Sequence, residues 1–114
     1  MQRIKIQTSA QREILDITAA VSRVVKETGV MKGVCHLFVP HTTAAVTINE
    51  NTDPNVRHDM LQALETMVPA AGPYLHAEGN SSAHVLASLV GAWQTAFVEN
   101  GKLVLGAWQA FYLC

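Results

Sequence analysis

Residues 93–113 read W-Q-T-A-F-V-E-N-G-K-L-V-L-G-A-W-Q-A-F-Y-L, and this stretch decides the fold. It contains two strand-like runs, 93–99 and 102–113, joined at Asn100-Gly101. Asn-Gly is the strongest short hairpin signal, because both central residues of a type I′ turn need positive φ. The stretch therefore predicts a terminal pair of antiparallel strands, and hairpin-linked strands favour an antiparallel sheet with helices on one face.

Four earlier stretches also have strand character. Residues 2–8 alternate between polar and apolar side chains, and residues 13–17 form a shorter run of the same kind. Residues 33–39 are almost wholly apolar and end at a proline, and residues 44–48 are rich in β-branched side chains. These patterns predict four further strands.

Three helices are predicted between these strands. Thr18 is a plausible N-cap for a helix that ends near residue 29, with Val21, Val24, Val25 and Thr28 on its buried face. Asp53-Pro54 marks the start of a second helix that runs to about Met67, since an acidic cap followed by proline is a strong helix-start signal. Ser81 or Ser82 caps a short third helix. We therefore expect a single α+β domain over residues 1–114, with one antiparallel sheet layered against two main helices and one short helix.

Composition excludes some functions and favours an oligomer. Only 15% of the residues are charged, against roughly 25% in an average soluble domain. This shortfall favours a surface covered by another copy of the chain, although a thick core would also explain it. The eight Lys and Arg residues are scattered, which argues against a nucleic-acid partner. No apolar run reaches the ~20 residues of a membrane helix.

The cysteines and the N-terminus indicate a cytoplasmic protein. Cys35 and Cys114 fit no C-x-x-C spacing and lie in apolar runs, so we expect small core residues rather than a disulfide. Met1 leads directly into a strand-like pattern with no basic-then-apolar leader. A reducing cytoplasm is therefore the expected location.

Two polar runs interrupt this apolar chain, and we expect them to meet and form the site. Residues 41–53 read H-T-T-A-A-V-T-I-N-E-N-T-D, and residues 74–84 read Y-L-H-A-E-G-N-S-S-A-H. Gly79 permits a sharp bend that would bring His76 and His84 towards each other.

The histidines are the first candidates for chemistry. His36 lies within an apolar strand, where a structural imidazole with a backbone partner is expected, and His58 lies on the polar face of a helix. His41, His76 and His84 all lie where apolar elements end. Imidazole is the commonest metal ligand and titrates near neutrality, so a zinc-like site, general acid–base catalysis and a structural role all remain open for these three.

Carboxylates, hydroxyls and amides complete the candidate site. Asp53 is a helix cap that could also orient an imidazole. Glu50 is a candidate ligand or base, or else a solvated strand end. Gln109, in an apolar run, either braces a neighbouring strand or points into the site. An anionic or sugar-like group could be held by the remaining polar residues, for which capping is the alternative role: Thr42, Thr43, Asn49, Asn51, Asn80, Ser81 and Ser82.

Three motifs resemble the YjbQ-like family: H-T-T-A-A-V-T-I-N-E-N-T-D-P-N-V, then Y-L-H-A-E-G-N-S-S-A-H with A-S-L-V-G, then G-K-L-V-L-G-A-W-Q. The similarity runs in order over essentially the whole chain. The resemblance implies a small α+β protein that forms a homotrimer. It also implies a secondary activity of the thiamine-phosphate-synthase type, which joins a pyrimidine diphosphate to a thiazole phosphate.

By motif position, the resemblance assigns functional importance to His84 and Asp53, with His41 and His76 as neighbours. The expected partner is a small anionic metabolite, and the expected cofactor is a divalent metal such as zinc or magnesium. Members of the family typically continue beyond the last strand into an acidic residue and an Asp-Gly-Pro-Arg tail, which would supply an arginine to a phosphate or close a subunit contact, whereas this sequence ends at Cys114. The alternative function is a non-catalytic oligomeric module that binds a metal ion or an anionic metabolite.

Overall fold

The computed structural model describes residues Met1–Cys114, which form three helices and two three-stranded antiparallel sheets. The α+β class is confirmed, but the strands divide between two small sheets instead of forming one. The elements in chain order are β1 (Leu15–Asp16), α1 (Thr18–Thr28), β2 (Lys32–Phe38), β3 (Val46–Glu50), α2 (Pro54–Met67), α3 (Ser81–Val90), β4 (Trp93–Glu99), β5 (Lys102–Val104) and β6 (Gln109–Leu113).

The first sheet has the order β1-β6-β3, and the second has the order β2-β4-β5. In the first sheet Leu113 of the central strand lies opposite both Leu15 and Val46. The second sheet is built on a seven-residue pairing that runs from Lys32 opposite Glu99 to Phe38 opposite Trp93. The two sheets are joined at Val46, whose N–H donates to the carbonyl of Gly91 at 3.0 Å and whose carbonyl accepts from Gln94 Nε2 at 3.3 Å.

The hairpin at Asn100-Gly101 is confirmed, but its second strand is shorter than predicted. Asn100 and Gly101 have φ of 51° and 73°, as a type I′ turn requires. The single strand predicted over 102–113 is wrong, because the chain turns at residues 105–108. The turn is closed by the Gly106 N–H, which donates to Gln109 Oε1 at 2.8 Å. β5 therefore pairs with β4, while β6 crosses into the other sheet.

Only α2 begins as the sequence indicates. The prediction that Ser81 or Ser82 caps α3 is wrong: Asn80 is its N-cap residue. Asp53 caps α2, since its Oδ1 accepts from the Asn55 N–H at 2.9 Å. The prediction that Thr18 caps α1 is wrong: Ile17 is the N-cap residue. The Thr18 hydroxyl is engaged elsewhere, because it accepts from the Phe111 N–H at 2.9 Å and so ties the helix to β6.

Residues 2–8 do not form the predicted strand. Ile4 and Ile6 are half-buried against the core while Arg3 and Lys5 are exposed, so the alternation is present. No strand of the same chain pairs with this segment, however. A period of two therefore identified the buried face correctly but could not supply a backbone partner.

The core is small and lies between α1 and the sheets. Its main cluster consists of Ile17, Val21, Val25, Val46, Ala96, Val98 and Phe111. Val21 and Val25 are buried as predicted, whereas Thr28 is exposed. Trp93 and Trp108 lie outside the core, with 60% and 65% of their surface exposed. No helix is long and apolar enough to cross a membrane.

The outer face of the β2-β4-β5 sheet, which we call the open face, is apolar and exposed. The registers place Val34 and Val104 on either side of Phe97, and Phe38 beside Trp93. The rings of Phe38 and Trp93 are 4.8 Å apart. All five of these side chains are more than two-fifths exposed, which is unusual for a monomeric domain.

Candidate functional site

The predicted site residues fall into two groups at opposite ends of β3. We call the first group the α3 end: His41, Thr42, Thr43, His76, Asn80, Ser81, Ser82 and His84. We call the second group the Glu50 end: Asn49, Glu50, Asn51, Asp53 and Gln109. Four residue steps separate Val46 from Glu50, and at about 3.3 Å per step these steps span ~13 Å. Within one chain, therefore, the predicted site is not one pocket.

The second polar run folds back on itself at the α3 end. Gly79 has φ of 74°, in the left-handed region that favours glycine. The bend places the ring centroids of His76 and His84 5.5 Å apart, with the ring planes 84° from parallel. His84 lies in the first turn of α3 and is half-buried, whereas His76 is exposed.

His41 is held by the loop that follows it. Its Nδ1 accepts from the Thr43 N–H at 3.1 Å and lies 3.1 Å from the Thr43 hydroxyl. Because a backbone N–H can only donate, Nδ1 is the acceptor in the contact with the Thr43 N–H. Thr42 beside it is exposed.

The three histidines do not complete a metal site in one chain. No group of three or more His, Cys, Asp or Glu residues is placed to hold a metal ion. A structural zinc site uses four protein ligands and a catalytic one uses three. The expected ligand set of His41, His76 and His84 is therefore not formed within a single subunit.

A cavity of about 170 Å³ lies at the α3 end. The two polar runs contribute the polar side chains of Thr43, Asn80 and Ser82 to its lining, and the other polar side chains are those of Gln11, Arg12 and Glu13. Apolar side chains supply most of the remaining wall, among them Ile14, Leu61, Leu64, Leu86, Ala87 and Val90. None of the three imidazoles lines the cavity, but His41 contacts Thr43 and His84 follows Ala83, both of which do.

The polar groups of the cavity differ in how well they are satisfied. Arg12 donates to the carbonyl of Val68 at 3.2 Å, and Glu13 Oε2 accepts from the Ser9 N–H at 2.7 Å. By contrast, Asn80 Oδ1 is buried without any hydrogen-bond partner, although Asn80 is the N-cap residue of α3. Ser82 is 6% exposed. An unsatisfied buried polar group costs about 1–3 kcal/mol.

Cys114 also lines the cavity, and burial raises the pKa of its thiol to about 11. At neutral pH it is therefore a thiol and not a thiolate nucleophile. Burial likewise raises the pKa of Cys35. Both cysteines are free and half-buried, in agreement with the expectation that they form no disulfide.

The polar groups of the Glu50 end are engaged by the fold. Asp53 caps α2, and Asn49 Oδ1 accepts from the Glu50 N–H at 2.7 Å. The Asn51 N–H donates to the Trp108 carbonyl at 2.9 Å. Gln109 neither braces another strand nor enters the cavity, since its Oε1 closes the turn before β6. Asp53, Asn49 and Gln109 thus use their side chains to close helix, strand and turn ends, whereas the side chains of Glu50 and Asn51 make no hydrogen bond in the chain.

Tyr112 anchors this end from the core. Its hydroxyl donates to the Glu50 carbonyl at 2.9 Å, and the Arg57 guanidinium lies 5.5 Å from its ring centroid. Burial raises the pKa of Tyr112, the positive charge of Arg57 opposes the shift, and the negative charges of Asp16 and Glu50 add to it. Arg57 therefore serves packing and charge balance about the tyrosine.

The other two histidines lie elsewhere. His36 is exposed on the open face, where its Nδ1 lies 3.0 Å from the Thr95 hydroxyl, so the expected backbone partner is wrong. Its side chain points outward because β2 buries only alternate residues. His58 is exposed on α2, with its Nδ1 3.3 Å from Asp59 Oδ1, as its polar helix face predicted.

The sequence patterns missed the apolar walls of the cavity. Leu61 and Leu64 lie on the apolar side of α2 and are half-buried: both line the cavity, and Leu61 also packs against the cluster of Ile14, Ala110 and Tyr112. The available signal was this apolar side of α2, which lines the same cavity as Gly79 and Asn80.

Comparison with known proteins identifies the family. A family model described as "UPF0047 protein YjbQ-like" matches residues 2–114. The chain is 44% identical to UPF0047 protein YugU of Bacillus subtilis, over 100% of this chain and 87% of the relative. It is 43% identical to a UPF0047 protein of Methanocaldococcus jannaschii, over 95% of this chain and 78% of the relative.

Solved structures agree. An uncharacterised YjbQ/UPF0047 protein of Clostridium acetobutylicum superposes with a TM-score of 0.92 at 49% identity, over 95% of this chain and 84% of that one. A protein of unknown function from Sulfolobus solfataricus gives a TM-score of 0.90 at 34% identity, over 95% and 79%. This chain belongs to the YjbQ-like (UPF0047) family.

Proposed function

We propose that this chain is the subunit of a small-molecule enzyme whose substrate enters the cavity at the α3 end. The proposed reaction is weak thiamine-phosphate synthesis, in which a pyrimidine diphosphate is joined to a thiazole phosphate and pyrophosphate leaves. The observation that carries the proposal is the cavity itself: a mainly apolar chamber whose polar lining includes side chains from both histidine-containing runs, together with Gln11, Arg12 and Glu13.

The size of the cavity supports one ring as its occupant. Its volume is about 170 Å³, close to the ~150 Å³ of an engineered apolar cavity that binds benzene. A single heteroaromatic ring fits such a space, whereas a ring with its phosphates does not. The phosphates would therefore lie at the mouth, near the start of α3.

Charge at the mouth supports a weak activity better than an efficient one. The first backbone N–H groups of α3 have no intrahelical partner and favour an anionic group. The one basic residue in the lining is Arg12, and it already donates to the Val68 carbonyl. Departure of pyrophosphate needs more positive charge than this for a fast reaction.

His84 is the proposed proton-transfer residue. It is the half-buried member of the histidine pair and adjoins the cavity through Ala83. A neutral imidazole can accept a proton as a general base. His76, 5.5 Å away between ring centroids, would orient it.

The test of the proposal is turnover of the two thiamine precursors. We expect His84→Ala to lower turnover about 100-fold, the usual contribution of a general acid or base. The matched control is His58→Ala, which removes an exposed imidazole from α2 and should leave turnover unchanged. Turnover that is equal in wild type and His84→Ala would contradict the proposal.

The second candidate function is a non-catalytic oligomeric module that binds a metal ion or an anionic metabolite. It is favoured by the paired imidazoles of His76 and His84, which lack only a third ligand such as His41 of a neighbouring copy. Zinc or magnesium retained by the purified protein, in the absence of turnover, would favour this function. Loss of that metal in His76→Ala but not in His58→Ala would locate it.

We further propose that the chain assembles as a homotrimer through the open face. Support comes from five exposed apolar side chains on one sheet surface and from a charged content of only 15%. Phe97→Glu should dissociate the assembly, whereas Ser22→Glu, at an exposed position of α1, should not. Sedimentation velocity measures the outcome, and a trimer that survives Phe97→Glu would refute this interface.

A further inference from the structure

The N-terminal segment, residues 2–8, has the alternation of a strand but no strand beside it. Ile4 and Ile6 pack against the main core cluster, while Arg3 and Lys5 at the alternate positions are exposed. No turn or bend interrupts the segment. Burial of every second residue in a chain that does not turn is the geometry of an extended strand. The two isoleucines therefore hold an extended chain in place on the surface of the core.

The backbone of this segment is unused by the fold. Residues 2–7 neither donate nor accept a backbone hydrogen bond, and the Thr8 carbonyl accepts only from Gln7 Nε2, at 3.3 Å. By contrast, β2 is paired with β4 along its whole length. A row of unpaired N–H and C=O groups on an extended chain is a template for pairing with another strand. The segment is therefore a strand edge without a neighbour.

The exposed side chains of the segment are basic where they would flank an added strand. Arg3 and Lys5 lie two positions apart on the same face, and neither forms an ion pair in the chain. Side chains directly opposite each other in neighbouring strands are close enough for opposite charges to attract and for like charges to repel. Acidic side chains at alternate positions of the added strand therefore complement this face.

The same rule disfavours a second copy of the segment as the neighbour. An antiparallel pairing that sets Ile4 opposite Ile6 also sets Lys5 opposite Lys5. A pairing that sets Ile4 opposite Ile4 sets Arg3 opposite Lys5. Both registers that give Ile4 an isoleucine partner thus place like charges opposite each other, which is destabilising. A different polypeptide of opposite charge fits the segment better.

We propose that residues 2–8 are a docking site for an extended peptide segment of another protein, which adds to them as a β-strand and carries acidic side chains at alternate positions. Backbone hydrogen bonds supply the affinity of such a contact, and the charges of Arg3 and Lys5 supply its selectivity. Because the core already holds the acceptor segment, docking has little chain to order on this side. The proposal uses neither the cavity nor the open face, so it is independent of the proposed function.

Two blocked seven-residue peptides test the proposal on the intact chain. One alternates valine with glutamate, and the other alternates valine with lysine. Titration followed by the amide chemical shifts of residues 2–8 gives the two Kd values. We expect the glutamate peptide to bind about 10-fold more tightly, because its charges attract where those of the lysine peptide repel. Hydrogen exchange should slow at alternate amides of the segment, since only one edge of an extended chain faces its neighbour.

A peptide control and a pair of variants assign this binding to its atoms. N-methylation of alternate residues of the glutamate peptide removes its donors on one edge and keeps its charge, so binding should be lost. Lys5→Glu should bring the Kd values of the two unmethylated peptides within about 2-fold of each other, because the face then carries one charge of each sign. Lys26→Glu, at an exposed position of α1, is the control that should keep the preference. Thermal unfolding verifies that both variants fold.

Each outcome decides the proposal. A preference for the glutamate peptide that disappears in Lys5→Glu, with no binding of the methylated peptide, supports it. Equal binding of the two unmethylated peptides by wild type would overturn it, as would undiminished binding of the methylated peptide, since the contact would then be electrostatic alone. Dimerisation through residues 2–8 would assign the segment to a second copy and overturn it too. No binding of either peptide at millimolar concentration would overturn the proposal and leave the proposed function intact.

Discussion

The α3 end and the Glu50 end have similar side chains but use them differently. Each contains carboxylates, amides or hydroxyls next to an apolar strand, and the sequence alone does not distinguish the two sets of residues. At the Glu50 end the side chains of Asn49, Asp53 and Gln109 each bond a backbone atom of the chain. At the α3 end a buried amide oxygen has no partner and two imidazoles face each other.

The difference separates polar side chains that bond their own chain from a buried amide oxygen that does not. A helix cap or a turn closure stabilises the fold by about 1 kcal/mol. This stabilisation is enough to explain why Asp53 and Gln109 are polar residues. Asn80 has no comparable role in the fold. Unsatisfied hydrogen-bonding capacity therefore distinguishes the two ends, whereas polarity does not.

The largest expected effect compares one residue from each end. We expect Asp53→Ala to keep turnover within about 3-fold of wild type, while His84→Ala loses about 100-fold. The reason is the ~13 Å of β3 that separates the two ends within one chain. The measurement is turnover of the thiamine precursors by both variants under identical conditions.

A severe loss of turnover in Asp53→Ala would contradict this prediction. Refolding a mixture of the two variants would then show the reason for the loss. If turnover returned when unfolded Asp53→Ala and His84→Ala chains were refolded together, the two ends would have to meet across a subunit boundary. If it did not return, Asp53 would act through the stability of α2.

The second prediction uses the Cys114 thiol, whose pKa burial raises from 9.0 to about 11. In the folded chain the thiol keeps its proton up to the higher value, whereas the unfolded chain loses it near pH 9. The stabilising contribution is therefore complete below pH 9 and is lost as the pH rises towards 11. We expect wild type to lose about 1–2 kcal/mol more than Cys114→Ala over this range, after discounting for partial exposure.

Urea unfolding at pH 8 and pH 10.5 measures this difference. Tyr112 and Cys35 titrate in both proteins and cancel from the comparison. Equal losses in wild type and Cys114→Ala would mean that water already fills the α3 end, and that the cavity is not the dry chamber its apolar walls suggest.

The third prediction concerns the Glu50 end alone. Asp53→Ala should lower the free energy of unfolding by about 1 kcal/mol, because it removes the oxygen that accepts from the Asn55 N–H. Thr52→Ala, at the exposed neighbouring position, should change it by less than half as much. A cap substitution without effect would mean that Asp53 is available for chemistry after all.

Sequence patterns identified the elements whose signals are local. The Asp53-Pro54 start of α2 and the full extent of β4 follow from residues inside or next to each element. The fate of residues 2–8 could not be predicted in this way, because a strand needs a partner that the local pattern does not contain. The turn at residues 105–108 was missed for a related reason: L-V-L-G-A-W-Q-A-F has a single glycine as its only break.

The site was predictable only where its signals are local. The bend at Gly79 and the neighbouring positions of His76 and His84 follow from one short run. The distance between His41 and Asp53 depends on the intervening chain being an extended strand, which separates its ends instead of bringing them together. Whether Asn80 or Asp53 makes its capping bond depends on backbone angles and neighbours that no spacing rule specifies.

The smallest predicted effect has the opposite sign and concerns Asn80, the N-cap residue of α3. Asn80→Leu should raise the free energy of unfolding by about 0.5–1 kcal/mol, because it removes a buried oxygen that has no partner and forfeits no capping bond. Urea unfolding measures the change, and Asn80→Ala serves as a control for side-chain volume. A stabilised Asn80→Leu protein would mean that the wild-type chain keeps a destabilising amide at the α3 end, as residues with a ligand to hold commonly do. A destabilised one would mean that the amide bonds the fold, and the contrast between the two ends would then disappear.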